Sequence, residues 1–267
     1  MSDGLSKRAA DGTAYDLRGP PGAPVLVLIH GLGLCRSLWD VHLPAFAECR
    51  VLRYDLYGHG DSAPAPRMPS LALYADQIAG LLNETGIARA TLVGFSIGGM
   101  INRRFAMDHA GRLQSLVILN SPHDRGTEGQ AAVEARAAQV RDQGTMATLP
   151  DALKRWFTPA HLAEGPGPAR VREWRERVDA DSYAGAAWVL AHGVRELIAP
   201  QPPIAAPTLV MTCENDSGST PAMSHDIAAE IAGAETLILP HLKHLGLIED
   251  PDSFTGPILD FLRRTLP

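Results

Sequence analysis

The sequence predicts an α/β protein built on a mainly parallel sheet. Short apolar runs recur along the chain, each bounded by Gly or Pro, and they are nearly continuous rather than alternating. Such runs are typical of strands that are buried on both faces of a sheet. Segments with helical spacing lie between the runs, and strands that alternate with helices indicate an α/β architecture.

The predicted elements follow one another along the chain. Six apolar runs are predicted to be strands: Val25–Ile29, Val51–Tyr54, Thr91–Val93, Leu116–Leu119, Thr208–Thr212 and Thr236–Leu239. Three segments are predicted to be helices: Leu73–Glu84, Ile97–His109 and Pro257–Arg264. In the first helix, apolar residues at positions i, i+4, i+7 and i+8 share one face.

The alternation of strands and helices stops between residues 123 and 203. This stretch holds many charged residues and three of the four tryptophans, and it shows helical but no strand patterns. We interpret it as a helical cap inserted into one α/β core. The core then comprises residues 1–122 and 204–267, and the cap comprises residues 123–203.

Composition and charge exclude several classes of function. A chain of 267 residues, 45% of them hydrophobic, can bury a large core without disulfide or metal staples. Its net charge of −6 and the lack of a dense Lys/Arg run argue against nucleic acid or an anionic membrane as a partner. Three cysteines without a CxxC pair predict neither a disulfide framework nor a zinc-ribbon site. With no signal-peptide or membrane-span pattern, we expect a cytoplasmic location.

The sequence Gly94-Phe-Ser96-Ile-Gly98 is the motif that points most directly to chemistry. It follows a predicted strand and opens a predicted helix, which is the context of a nucleophile elbow. Flanking glycines allow neighbouring backbone to approach closely, and the helix N-terminus stabilises negative charge. Ser96 is therefore the predicted nucleophile.

A second glycine-rich turn, His30-Gly-Leu-Gly33, ends the first predicted strand. We interpret it as the loop that supplies half of an oxyanion hole. The backbone N–H of Leu32 would act together with that of Ile97, the residue after the nucleophile. His30 itself is interpreted as a residue that packs the loop.

A serine nucleophile needs a base and an acid that orients the base. His244 follows the last predicted strand and is the favoured base, with His241 as its rival. Asp216 follows the strand that ends at Thr212 and is the favoured acid, with Asp124 as the alternative. The order Ser96, Asp216, His244 is that of α/β hydrolases.

With these residues in place, the chain resembles the α/β-hydrolase fold superfamily over nearly its whole length. The resemblance implies a mostly parallel eight-stranded sheet, a helical cap after the sixth strand, and a serine hydrolase that needs no cofactor. Four motifs carry it in order: His30-Gly-Leu-Gly33, Asp55-Leu-Tyr-Gly-His-Gly-Asp-Ser62, Gly94-Phe-Ser-Ile-Gly98 and His244…Glu249-Asp-Pro251.

Within the superfamily, the chain is similar to 3-oxoadipate enol-lactonases. The segments of this chain that resemble those lactonases are Val51–Gly60, Gly98–Ile101 and Arg155–Pro159. The resemblance implies hydrolysis of a small ester or lactone through an acyl-enzyme. Unlike many of these lactonases, the chain keeps His30 in the oxyanion loop, as general esterases and C–C hydrolases do. The alternatives are therefore a C–C bond hydrolase of meta-cleavage products, a cofactor-free perhydrolase or haloperoxidase, and a non-catalytic ligand-binding protein.

Aromatic and basic residues are the candidates for binding the substrate. Trp39 and Trp156 are predicted pocket walls, and Arg36 is a predicted partner of a substrate carboxylate, a role that Arg103 and Arg104 could also fill. The expected partner is a small-molecule ester or lactone. The sequence leaves a monomer and a homodimer open.

Overall fold

A computed structural model describes residues 6–265 and contains one eight-stranded sheet. The strand order across the sheet is β1-β2-β4-β3-β5-β6-β7-β8. The strands are β1 (Lys7–Arg8), β2 (Ala14–Arg18), β3 (Val25–Ile29), β4 (Arg50–Tyr54), β5 (Ala90–Phe95), β6 (Leu113–Leu119), β7 (Thr208–Cys213) and β8 (Glu235–Leu239).

Among the described strands, β2 alone runs against the others. β1 pairs antiparallel with β2, and β2 pairs antiparallel with β4, whereas every pair from β4 to β8 is parallel. In the middle of the sheet, Ile29 lies beside Gly94 and Phe95 lies beside Leu119. The strands therefore end together, and the loops that follow them meet at one edge, where α/β proteins bind ligands.

Ten α-helices surround the sheet within the described part of the chain. They are α1 (Leu71–Glu84), α2 (Ile97–Asp108), α3 (Gly126–Gln143), α4 (Leu149–Trp156), α5 (Pro159–Glu164), α6 (Gly167–Glu176), α7 (Ala180–His192), α8 (Pro221–Ala229), α9 (Gly246–Glu249) and α10 (Pro251–Thr265). Three 3-10 segments complete the helical structure: Arg36–Phe46, Ala110–Arg112 and Gly193–Leu197.

Alternate residues of β3 pack on opposite faces of the sheet. Val27 and Ile29 join a core cluster with α1 and α2, while Leu26 and Leu28 join a second cluster with α10 and the segment Arg36–Phe46. This is the period-2 geometry of a strand. Because both faces are covered, both sets of side chains are apolar, and the run reads as continuous in sequence.

Five helices, α3 to α7, fill the stretch between β6 and β7, and no strand occurs there among the described residues. Helix α7 is tied to the sheet side of the molecule at its start. The N–H of Asp179 donates to the carbonyl of Gly58 (3.0 Å). The assignment of residues 123–203 as a separate cap domain stays a prediction.

The predicted fold class is confirmed, and all six predicted strands are present, with ends that differ by up to three residues. Strands β1 and β2 were missed. β1 consists of two exposed charged residues, and β2 mixes apolar with charged residues. Neither strand therefore forms a continuous apolar run in the sequence. Helix α10 begins at Pro251, six residues before the predicted start at Pro257, which lies inside the helix. No helix within residues 6–265 is both long and apolar enough to span a bilayer.

Two histidines are buried side by side beneath the loops after β3 and β4. His30 accepts a hydrogen bond at Nε2 from the N–H of Leu56 (2.9 Å), and its Nδ1 lies 2.8 Å from the carbonyl oxygen of Gly31. The ring of His59 is 5.4 Å away. Burial lowers the pKa of His30 to about 4 and that of His59 to about 3. His30 therefore packs the loop as a neutral imidazole.

The stability of the protein should fall as the pH drops from about 6.5 towards 4. The unfolded chain takes up protons on His30 and His59 near the ordinary histidine pKa of about 6.5, whereas the folded chain does not. Each group then removes about 1.4 kcal/mol of unfolding free energy per pH unit across this window. Urea unfolding measured at several pH values checks the slope.

The variant His59→Gln should lower that slope, because it removes one buried imidazole with a lowered pKa. His42, also buried with a pKa lowered to about 4, contributes to the slope that remains. His225→Gln is the matched control, since His225 is exposed, and it should leave the slope as it is in the parent protein. An equal slope in the parent and in His59→Gln would contradict the assignment.

Candidate active site

Ser96 occupies a sharp turn between β5 and α2. Its backbone has φ 58° and ψ −116°, a conformation that a residue other than Gly rarely adopts. Its N–H donates to the carbonyl of Leu119 on β6 (2.8 Å), which fixes the turn to the sheet. The turn places Ser96 at the carboxyl edge of the sheet and directly before the N-terminus of α2.

Two glycines allow this turn to form. A Cβ atom at Gly94 would lie 2.2 Å from the carbonyl oxygen of Gly98, and one at Gly98 would lie 2.6 Å from the carbonyl oxygen of Ile29. Both contacts are with backbone, which cannot move aside without shifting β3 or α2. The G-x-S-x-G spacing is thus required by the close approach of a strand, a turn and a helix.

Asp216 and His244 are joined by a short hydrogen bond. The distance between His244 Nδ1 and Asp216 Oδ2 is 2.6 Å, and both side chains are buried. Asn120 Nδ2 donates to the same carboxylate oxygen (2.9 Å). The other oxygen accepts the N–H groups of Gly218 (2.9 Å) and Ser219 (3.0 Å).

These contacts keep the Asp216 carboxylate ionised. Burial alone would raise the pKa of Asp216, but the adjacent His244 and the hydrogen bonds from His244, Asn120 and Gly218 outweigh burial and lower it. An ionised carboxylate can only accept hydrogen bonds, so His244 donates from Nδ1. Its Nε2 is then left as a proton acceptor.

The loop that carries His244 is held against helices α4 and α5. The His244 ring packs between Phe95 (4.9 Å between ring centroids) and Trp156 (5.9 Å). The N–H of Leu245 donates to the carbonyl of Trp156 (2.9 Å). Glu249 accepts hydrogen bonds from the N–H (2.9 Å) and hydroxyl (2.6 Å) of Thr158. These bonds fix the position of the imidazole relative to the helices above it.

Ser96, Asp216 and His244 all line one cavity of about 130 Å³. By the measure in which one water occupies about 10–15 Å³, this volume holds on the order of ten water-sized groups. The structure therefore brings the three predicted catalytic residues together around a space that fits a small organic molecule.

The predicted oxyanion residues lie in the turn after β3 and at the start of α2. Leu32 lines the cavity, next to Gly31, in the turn after β3. Ile97 is the first residue of α2, where a backbone N–H has no acceptor within the helix. The positive end of the helix dipole adds to the positive potential around this N–H. Both positions suit the binding of a negatively charged oxygen.

The rival residues lie elsewhere. The His241 side chain is 92% exposed and its N–H donates to Glu214, outside the cavity. Asp124 is exposed and accepts a hydrogen bond from the N–H of Gly126. The structure thus places neither of them with Ser96.

Two of the three predicted substrate-binding residues are corrected by the structure. Trp39 is 1% exposed, packs in the core beside His42 and is not among the residues that line the cavity. Arg36 binds the carboxylates of Asp55 and Asp61 and is not available to a substrate. Trp156 does line the cavity, in contact with His244.

Arg103 and Arg104 also lie outside the cavity. Arg103 is buried and donates to the carbonyls of Gly99 (3.1 Å) and Pro122 (2.6 Å). Arg104 forms salt bridges with Asp108 and Glu196. Both side chains serve the packing of α2.

Sequence reasoning missed the basic residues that do line the cavity, which are Arg125, Arg136, Arg155 and Arg175. In the sequence they belong to the charged stretch between residues 123 and 203. One signal was available in α3, where Val133, Ala137 and Val140 form an apolar face at helical spacing and Arg136 lies on that face. An arginine on an apolar helix face is a candidate ligand-binding residue.

The sheet, the elbow serine and the buried Asp–His pair together define an α/β hydrolase. A family model described as the alpha/beta hydrolase family matches residues 26–255. The chain therefore belongs to the alpha/beta hydrolase family, and it is a hydrolase.

Its relatives include hydrolases of small molecules. The chain is similar to (E)-2-((N-methylformamido)methylene)succinate hydrolase of Acinetobacter baylyi, with 25% identity over 95% of each chain. It is similar to 3-oxoadipate enol-lactonase 2 of the same organism, with 27% identity over 94% of this chain and 92% of that one. The crystal structure of the enol-lactonase from Burkholderia xenovorans LB400 superimposes with a TM-score of 0.86 at 29% identity, covering 97% and 100% of the two chains.

Replacing Gly98 with Ala should destabilise the turn. The added Cβ would lie 2.6 Å from the carbonyl oxygen of Ile29 and 2.9 Å from that of His30, so α2 must move away from β3. We expect a loss of about 1–3 kcal/mol in unfolding free energy and a lower hydrolytic rate. Urea unfolding and an ester assay measure the two effects.

Gly111→Ala is the matched control. Gly111 lies in a 3-10 segment with open space around the added atom, so its stability should stay within about 0.5 kcal/mol of the parent. If Gly98→Ala were as stable and as active as Gly111→Ala, the close approach at the elbow would not constrain the site.

Proposed function

We propose that the protein is a serine hydrolase that cleaves a small-molecule carboxylic ester or lactone through an acyl-enzyme. The observation that carries this proposal is the 2.6 Å hydrogen bond between His244 and Asp216 in the cavity that Ser96 lines. The relatives named as enol-lactonases support the ester or lactone bond as the target.

His244 acts as the general base. Because Asp216 holds the proton on Nδ1, Nε2 can take the proton of the Ser96 hydroxyl as its oxygen attacks the substrate carbonyl. The charge on the imidazolium that forms is stabilised by the adjacent carboxylate. Asp216 stays ionised throughout.

The tetrahedral intermediate places a negative charge on the former carbonyl oxygen. The N–H groups of Leu32 and Ile97 donate to that oxygen, and the N-terminus of α2 adds its dipole. Each such donor stabilises the transition state by about 3–4 kcal/mol.

The imidazolium of His244 then returns its proton to the leaving oxygen, and the C–O bond breaks. An ester releases an alcohol and leaves the acyl group on Ser96. A lactone opens but stays attached through its acyl group. A water molecule, deprotonated by His244, attacks this acyl-enzyme, and the proton passes back to the Ser96 oxygen to release the acid.

Hydrolysis of an amide is a second candidate. It is favoured by one observation, the relative whose name specifies a formamido succinate as substrate. The same nucleophile, base and oxyanion donors serve both reactions. Rates on an enol-lactone and on an N-formyl analogue of equal size distinguish the two.

Ser96→Ala should abolish hydrolysis while the fold persists. The variant removes only the attacking oxygen, so we expect the rate on p-nitrophenyl acetate to fall by a factor of roughly 10⁴ or more. A fluorophosphonate should add one label to the parent protein and none to the variant, as measured by intact mass. Circular dichroism monitors the fold.

Ser253→Ala provides the control, because it removes a serine hydroxyl in α10, outside the residues that line the cavity. It should keep both turnover and labelling. Turnover by Ser96→Ala at the parent rate, or a label on another residue, would overturn the proposed mechanism.

A further inference from the structure

Four arginines converge on the cavity that holds Ser96, Asp216 and His244. They lie in or next to the helices of the segment between β6 and β7, and together they form the arginine cluster. Arg125 precedes α3, Arg136 lies in α3, Arg155 lies at the end of α4, and Arg175 lies in α6.

No carboxylate of the described residues lies within salt-bridge distance of the arginine cluster. Among residues 6–265, none of the four guanidinium groups forms a salt bridge. Arg175 is only 1% exposed, and its Nε has no acceptor. Nη1 of Arg125 is also buried without an acceptor. Buried cations are normally paired, so these unpaired donors indicate that a ligand completes the site.

The few contacts that these arginines make are with neutral groups. Arg175 donates to the hydroxyl of Thr148 (2.6 Å) and lies over the ring of Tyr183 (4.5 Å). Arg125 donates to the carbonyl of Leu190 (2.9 Å). These contacts hold the side chains in place without neutralising their charge.

The charge of the cavity is opposite to that of the whole chain. Asp216 is the sole carboxylate among the described residues that line the cavity, and its oxygens already bind His244, Asn120, Gly218 and Ser219. Four cations therefore face one occupied anion, in a chain whose net charge is −6.

Neighbouring members of the arginine cluster are close enough for their charges to repel one another. Burial and the neighbouring Arg136 lower the pKa of Arg125 to about 10. Burial and Arg155 lower the pKa of Arg136. Burial lowers the pKa of Arg175 as well; the adjacent Tyr183 opposes this shift and the charge of Arg155 adds to it. All four arginines remain charged at neutral pH, since arginine's ordinary pKa is far above 7.

The two ends of the cluster lie at different places in the site. Arg175 packs against the loop after β3, since a Cβ at Gly33 would lie 3.6 Å from its side chain. Arg125 instead donates to the carbonyl of Leu190 on α7, about two helical turns from Tyr183, the ring over which Arg175 lies. Apolar residues of the lining lie with them: Val133, Ala137, Val140, Ala152 and Ala187.

We infer that the substrate is a small ester or lactone that carries at least two carboxylates, which the arginine cluster binds on either side of an apolar carbon skeleton. This inference deepens the proposed function and rests on it for the reacting bond. Guanidinium groups bind carboxylates through paired, charge-assisted hydrogen bonds, which accounts for four arginines facing one ligand. The cavity volume of about 130 Å³ limits the ligand to a small skeleton.

Equilibrium binding tests this inference without catalysis. The Ser96→Ala protein is titrated calorimetrically with adipate, its mono-anionic counterpart hexanoate, neutral dimethyl adipate and inorganic phosphate. We expect adipate to bind at least tenfold more tightly than hexanoate and the neutral diester not to bind measurably. Equal affinity for adipate and hexanoate, or tighter binding of phosphate than of adipate, would overturn the inference.

Variants locate the binding to the cluster. In the Ser96→Ala background, Arg136→Gln and Arg155→Gln should each weaken adipate binding by tenfold or more. Neither arginine is fully buried, so both variants should fold. Arg172→Gln is the control, because Arg172 is exposed on α6 and does not line the cavity, and it should bind adipate like the parent. Equal losses in all three variants would contradict a specific site.

Kinetics separate this inference from the proposed function. In the otherwise unaltered enzyme, the test substrate is the mono-p-nitrophenyl ester of tricarballylate, which keeps two free carboxylates. The ratio of its kcat/KM to that of p-nitrophenyl acetate should fall at least tenfold on Arg155→Gln. Hydrolysis of both esters with no change in this ratio would overturn the inference alone. Adipate binding by Ser96→Ala without any ester or lactone turnover by the parent would overturn the proposed function and keep the anion site.

Discussion

The turn at Ser96 is the constraint on which the rest of the site depends. A backbone at φ 58° and ψ −116° is unfavourable for a serine, and it persists because its surroundings allow no alternative. The hydrogen bond from Ser96 to Leu119 fixes the turn to β6, and the glycine contacts bring α2 within van der Waals distance of β3. The same packing that strains the backbone therefore presents the hydroxyl and the N-terminus of α2 at one point.

The base reaches that point from the other end of the chain, and the helices above the sheet help to hold it there. Leu245 precedes the short helix α9 and binds Trp156, and Glu249 is the last residue of that helix and binds Thr158. The loop of His244 and the start of α5 thus form one connected structure. Residues that shape the cavity and residues that orient the imidazole are coupled, so a change in α4 or α5 alters substrate fit and proton transfer together.

How much the sequence could predict depended on how local each signal was. The elbow, the turn at Leu32 and the order of Ser96, Asp216 and His244 lie at strand ends, where the next residues in sequence are also the next in space. Trp39 and Arg36 lie close to the same loop in sequence, but the 3-10 segment turns them into the core and towards Asp55. Apart from Arg136 on the apolar face of α3, the arginine cluster could not be predicted. Its members come from three helices and the segment before one of them, and only tertiary packing sets which face of each helix lines the cavity.

The energetics of the arginine cluster argue that it exists for a ligand rather than for the fold. Removing a cation from water without a counter-ion costs several kcal/mol, and apolar residues of similar size would be as stable or more so. The lowered pKa values of Arg125 and Arg175 express this cost. A ligand with two carboxylates restores the missing partners in the folded state only, so binding recovers free energy that folding gave up. A neutral ester recovers none of it. The cavity therefore selects by charge before Ser96 acts, and discrimination between substrates of similar shape lies in the segment between β6 and β7 rather than in the catalytic residues.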